Sequence, residues 1–87
     1  MQENEQILAN AIAKALVKLR EKTGKSLNLF CNEYSIPTAT LNEMERAKVN
    51  TSVFSLYRVL KAYDLSSVEF FKLVEKELPE NFMAPEI

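Results

Sequence analysis

The chain has 87 residues, of which 47% are hydrophobic and 26% charged, with a formal net charge of −1. A chain of this size forms one small domain that buries roughly 60–65% of its unfolded surface, and it holds no run of about 18 apolar residues such as a membrane span needs. A single cysteine, a single glycine and no histidine exclude an intrachain disulfide, a Cys/His zinc site, Ser-His-Asp or Cys-His catalysis and glycine-rich phosphate loops. No cofactor and no metal are expected, and the chain is not expected to be an enzyme. The start Met1-Gln2-Glu3-Asn4-Glu5 is acidic, unlike a secretory signal, so the expected compartment is the cytoplasm.

Ile7, Leu8, Ala11, Ile12, Ala15, Leu16 and Leu19 recur at helical spacing and predict a first helix over about 3–22. Thr23-Gly24 ends it, because glycine accepts a left-handed helix terminus without a Cβ clash. The helix is long for so small a domain, and its first two turns either extend the core or pack on a partner. Ser26 is an N-cap for a short second helix, about Leu27 to Tyr34, with Leu29, Phe30, Cys31 and Tyr34 on its apolar side. Cys31 reads as buried packing rather than a reactive thiol.

Pro37 suits the first turn of a third helix, where a missing N–H costs nothing. That helix is predicted from about Thr38 to Arg46, with Leu41 and Met44 inward and Thr38, Ala39, Asn42 and Glu43 on the other face. After a loop at 47–51, Asn50 or Thr51 is expected to cap a fourth helix ending near Ala62, with Val53, Leu56, Val59, Leu60 and Tyr63 wholly or partly inward. Ser66-Ser67-Val68-Glu69 reads as a capping box. It opens a fifth helix with Val68, Phe71, Val74 and Leu78 on one stripe, and Pro79 stops it. The tail is polar, with isolated Phe82, Met83 and Ile87. No strand-like alternation occurs. The expected organisation is all-α, a single domain over 1–78 and a short tail over 79–87.

The charge is unevenly spread. Residues 14–25 set Lys14, Lys18, Arg20, Lys22 and Lys25 against Glu21; residues 26–45 carry only the acids Glu33, Glu43 and Glu45; residues 46–61 carry only the bases Arg46, Lys48, Arg58 and Lys61. Solvated helix faces explain most of such a pattern.

The run Leu16-Val17-Lys18-Leu19-Arg20-Glu21-Lys22-Thr23-Gly24-Lys25-Ser26, followed by Leu29-Phe30, Ile36, Leu41, Met44-Glu45-Arg46, Lys48, Asn50 and Leu65-Ser66, resembles the phage Cro and repressor-type (XRE-like) helix-turn-helix family. The likeness runs without a gap from about Leu16 to Phe71. It implies a compact five-helix bundle of the lambda-repressor-like type. It also implies an ion pair between Arg20 and Glu45, and binding to double-stranded DNA by a homodimer on a two-fold operator, with the third helix in the major groove. Carried over to this chain, the base-reading positions are Thr38, Ala39, Asn42 and Glu43. An Asn42 amide suits adenine, a Glu43 carboxylate suits the cytosine amino group, and Ala39 suits a thymine methyl. The phosphate-side positions are Ser26 and Leu27 at the start of the second helix, then Arg46, Lys48 and Asn50.

The chain departs from the family pattern at several places. Leu27 stands where a glutamine is usual, and Ser35 and Ala47 stand where glycines are usual. The third helix has no arginine before Arg46. Left-handed geometry at Ser35 or Ala47 would cost each about 1–2 kcal/mol, so slightly shifted turns are expected there. Leu27, Glu43 and the acidic 26–45 segment motivate an alternative in which the same fold binds a protein partner, a second regulator or a toxin-like protein, rather than DNA. Exposure of Leu27, Phe30 or Tyr57 would favour that alternative. Homodimerisation is expected through the fifth helix and the tail, using Phe70, Phe82 and Met83.

Overall fold

The structure, a computed structural model, describes residues 2–83; Met1 and residues 84–87, including the tail residue Ile87, lie outside the described residues. Five helices follow in order: α1 (Glu3–Thr23), α2 (Leu27–Tyr34), α3 (Thr38–Glu45), α4 (Val53–Ala62) and α5 (Ser67–Glu77). The fold is all-α, with no strand among the described residues.

Three serines start three of the helices. The hydroxyls of Ser26, Ser52 and Ser66 accept from the backbone N–H of Leu29, Ser55 and Glu69 at 3.2, 3.1 and 3.1 Å, satisfying donors that a first helical turn leaves open. The cap of α4 is therefore Ser52, not Asn50 or Thr51. The amide of Asn50 is instead engaged by the Glu5 carboxylate. At α5 the expected box is only half formed: the Ser66 hydroxyl donates to Glu69 Oε1 at 3.1 Å, so the glutamate returns to the serine side chain and not to its backbone.

The helix ends are more unusual. Ser35, Ala47 and Asp64 have φ of 55°, 56° and 53°. In each case the following N–H reaches the carbonyl five residues back: Ile36 to Cys31 at 3.0 Å, Lys48 to Glu43 at 3.1 Å and Leu65 to Leu60 at 3.0 Å. This is the Schellman arrangement, which glycine normally serves. The turns at Ser35 and Ala47 have thus not shifted; they keep the left-handed geometry without glycine. Tertiary contacts hold all three, at Ala47 through Gln6, Ala9 and Ala13. Ile36 is buried beyond Ser35 and Leu65 packs on the core beyond Asp64, so leaving the left-handed region would withdraw an apolar side chain from the interior.

The core is built from Leu16 of α1, Phe30 of α2, Leu41 and Met44 of α3, Val59 and Leu60 of α4, and Phe70 and Val74 of α5, all buried. The middle of α1 is the common support, with α3 and α5 lying against it. Phe30 stacks on Tyr63 with ring centroids 4.5 Å apart. The first turns of α1 extend the packing within the chain. Ala9 and Ala13 form a second small cluster with Ala47, and Gln6 Nε2 donates to the Ala47 carbonyl at 3.1 Å.

Two helical faces differ from the sequence expectation. Val53, Val68 and Phe71 point outward, and Phe70 is fully buried. In α5 the inward pair is Phe70 and Val74, spaced i, i+4, with Leu73 and Leu78 at its edges. Phe70 is therefore a core residue and takes no part in any surface between copies.

Candidate functional site

The chain from α2 to α3 turns within three residues, Ser35, Ile36 and Pro37. Pro37 caps α3 with φ −58° and ψ 125°. Burial of Ile36 and the fixed ring of Pro37 keep this connection short. Two arginines brace the pair of helices at different points. Arg20 Nε and Nη2 donate to Glu45 Oε2 and Oε1 at 2.8 and 2.9 Å, and its Nη1 donates to the Lys25 carbonyl at 3.1 Å. One guanidinium so joins α1, the α1–α2 junction and the last residue of α3. The two-pronged geometry suits a carboxylate whose side chain is only 8% exposed. At the α2–α3 turn, Arg58 Nη2 of α4 donates to the Ser35 carbonyl at 3.0 Å. Sequence reasoning assigned Arg58 to a solvated face. No local pattern marks it, because its partner lies 23 positions away and is a backbone atom.

With Leu41 and Met44 turned inward, α3 presents Thr38, Ala39 and Glu43 exposed and Asn42 half-exposed. The i, i+4 pairs 38/42 and 39/43 form one continuous outer strip, which 42/46 extends to exposed Arg46. Thr38, Ala39 and Asn42 are small, so the strip has a low profile apart from Glu43.

The other expected contact positions are placed unevenly. Ser26 is exposed, with its hydroxyl engaged as the α2 cap. Leu27 is half-buried and packs on the core, so what it offers outward is the backbone N–H at the first turn of α2. Arg46, Lys48 and Asn50 are exposed on the α3–α4 loop, and Asn50 is held by Glu5. That loop is fastened by Gln6 and by the Ala9–Ala13–Ala47 contact; sequence reasoning missed Glu5 and Gln6, whose partners lie more than forty residues on.

Pairing decides the local charge. Glu33 is paired with Lys25, and Glu45 with Arg20. Among the described residues Glu43, Arg46 and Lys48 have no ion-pair partner. The acidity of the 26–45 segment is therefore mostly neutralised, and the outer strip of α3 with the loop beyond it carries one unpaired acid beside two unpaired bases. Lys18 pairs with Glu77 across α1 and α5 and holds its carboxyl below the usual glutamate range.

Behind α3, the Tyr63 hydroxyl is buried with no hydrogen-bond partner. Burial pushes the phenol well above its ordinary range, and the Glu45 carboxylate adds in the same direction. Cys31 is buried, and burial raises its thiol. Among the described residues no group of His, Cys, Asp and Glu is placed to hold a metal ion, and no helix is long and apolar enough to cross a membrane. Comparison with family models, with curated proteins and with solved structures finds no match.

Proposed function

We propose that this chain is a sequence-specific DNA-binding transcriptional regulator of the lambda-repressor-like helix-turn-helix type, a small homodimeric repressor whose α3 enters the major groove. One observation carries the reading. A short helix, held at its last residue and at the three-residue turn before it by two arginines, displays an open strip of Thr38, Ala39, Asn42 and Glu43 that runs into unpaired Arg46 and Lys48. Asn42 presents an amide to a base edge, Glu43 accepts from a cytosine amino group, and Ala39 leaves room for a thymine methyl. Arg46 and Lys48 neutralise phosphates flanking the groove, with the first-turn N–H groups of α2 as further phosphate donors.

A second reading is a protein partner on the same fold. Leu27 packs on the core and Phe30 is buried, whereas Tyr57 on α4 and Leu29 and Tyr34 on α2 are exposed, and these three are the apolar handles such a partner would use.

Selection from a random duplex pool with the full chain tests the reading, with Asn42→Ala as control. The expected result is enrichment of a two-fold motif, which Asn42→Ala relaxes at one position of each half-site. Binding that never rises above that to a scrambled duplex at low salt would remove the proposal.

A further inference from the structure

The second half of α1 and the last turns of α5 enclose a cleft of about 400 Å³ that no residue of α3 lines. Its floor is apolar. Ala15 is buried at the base, and Leu19 and Leu73 pack on the core while staying partly open to the cleft. Lys18, Lys22 and Lys76 complete the walls with their alkyl stems and carry their ammonium groups to the rim. Along α1 the lining runs from Ala15 to Lys22, about 10 Å at the helical rise.

Charge at the rim is uneven. Lys18 is engaged by Glu77, whose side chain is only 18% exposed, and the pair ties α1 to α5 at the cleft. Among the described residues Lys22 and Lys76 have no ion-pair partner. Glu21 is the one unpaired acid of the lining. It also lines a second cleft that reaches Ala47, so it stands on the ridge of α1 between the two. Two free ammonium groups thus overlook a floor of leucine.

We propose that this cleft binds a small organic anion with an apolar body, of the class of a medium-chain carboxylate. The hydrocarbon lies on Ala15, Leu19 and Leu73, and the carboxylate is held by Lys22 and Lys76. The volume falls in the range of small-molecule sites. The chemistry selects among small ligands: a cation is repelled by the two free lysines, a wholly polar anion leaves the leucines uncovered, and a neutral chain forgoes the charge. The site goes beyond the proposed function. None of Thr38, Ala39, Asn42, Glu43, Arg46 and Lys48 lines it, so loss of ligand binding and loss of duplex selection are read separately.

Isothermal titration calorimetry of the full chain with sodium octanoate tests the proposal, with amide NMR to locate the site. The expected result is saturable binding with Kd at or below about 1 mM and shifts centred on Leu19, Lys22, Leu73 and Lys76. Octanol and octylammonium should each bind at least about 5-fold more weakly. Lys22→Gln combined with Lys76→Gln should weaken octanoate binding by about 5- to 10-fold, with unchanged helical circular dichroism because both side chains are exposed. Phe54→Glu, at an exposed apolar site on α4, should leave the affinity intact. Octanoate that shows no saturable binding up to about 10 mM overturns the proposal. So does octanol that binds as well as octanoate, or a double variant that binds as well as the wild type, since either outcome means apolar adhesion without recognition of the anion.

Discussion

Ser35 and Ala47 share one backbone conformation but differ in what their side chains touch, so replacing each by glycine separates strain from packing. Relief of the left-handed strain at Ser35 is about 1–2 kcal/mol, and the freer unfolded chain of a glycine takes back about 0.5–1 kcal/mol. Ser35 is exposed, so no packing is lost, and the bond from Arg58 to its carbonyl is retained. Ser35→Gly should therefore stabilise by about 0.5–1 kcal/mol, a rise in Tm of about 3–6 °C for a domain of this size. At Ala47 the same relief is opposed by loss of a buried methyl packed on Ala9 and Ala13, worth about 0.8 kcal/mol, and the net change should be near zero. Thermal melts of both variants check this. A fall in Tm for Ser35→Gly, or an equal gain for Ala47→Gly, would refute the assignment of strain to these two turns.

Tyr63→Phe should raise stability by about 1 kcal/mol, since it removes a buried hydroxyl that has no partner. In the wild type, one phenol should titrate above the ordinary range of about 10. Below pH about 10 the phenol is neutral in both states and leaves stability independent of pH; above it burial penalises the phenolate and the folded state loses stability, so alkaline unfolding should shift upward in the Phe variant. Arg20→Met should cost about 3 kcal/mol by leaving the Glu45 carboxylate without its partner, read by urea denaturation. The Lys18–Glu77 pair works in the opposite pH direction: its contribution is present above the unfolded glutamate range and is lost on acidification, so the stability difference between wild type and Glu77→Gln should shrink below pH about 4. In DNA titrations across salt, Arg46→Ala and Lys48→Ala should each flatten the slope by about 0.9 per phosphate contact, or about twice that for a dimer, whereas Asn42→Ala should change sequence preference with little effect on the slope.

What was legible in the sequence was mostly local. Ser26 and the apolar residues after it define α2 over Leu27–Tyr34, Pro37 marks the start of α3, and Ser66 marks α5, because caps and proline act within a few residues. Which side of α4 and α5 faces inward was not legible. Val68, Phe70, Phe71, Leu73 and Val74 supply apolar residues to more than one stripe, and the choice between Phe70 and Phe71 is made by the space α1 leaves, not by spacing along α5. The left-handed turns were hidden for a related reason. Ser35 and Ala47 lack the usual residue for that geometry, and what keeps them there is burial of Ile36 in one case and Gln6 with Ala9 and Ala13 in the other. Of the candidate site, the outer strip of α3 followed from helical periodicity, while the Arg58 brace depends on a contact across the fold.

The fastening of the α3–α4 loop by the opening turns of α1 has a practical side. Gln6, Ala9 and Ala13 secure Ala47 from 41 positions away in the case of Gln6, so anything fused ahead of α1 that frays its start would loosen the segment bearing Arg46 and Lys48 while the main core stayed intact. An affinity tag at that end would then leave a well-folded protein with a displaced Arg46–Lys48 segment, and purification handles for this chain belong elsewhere.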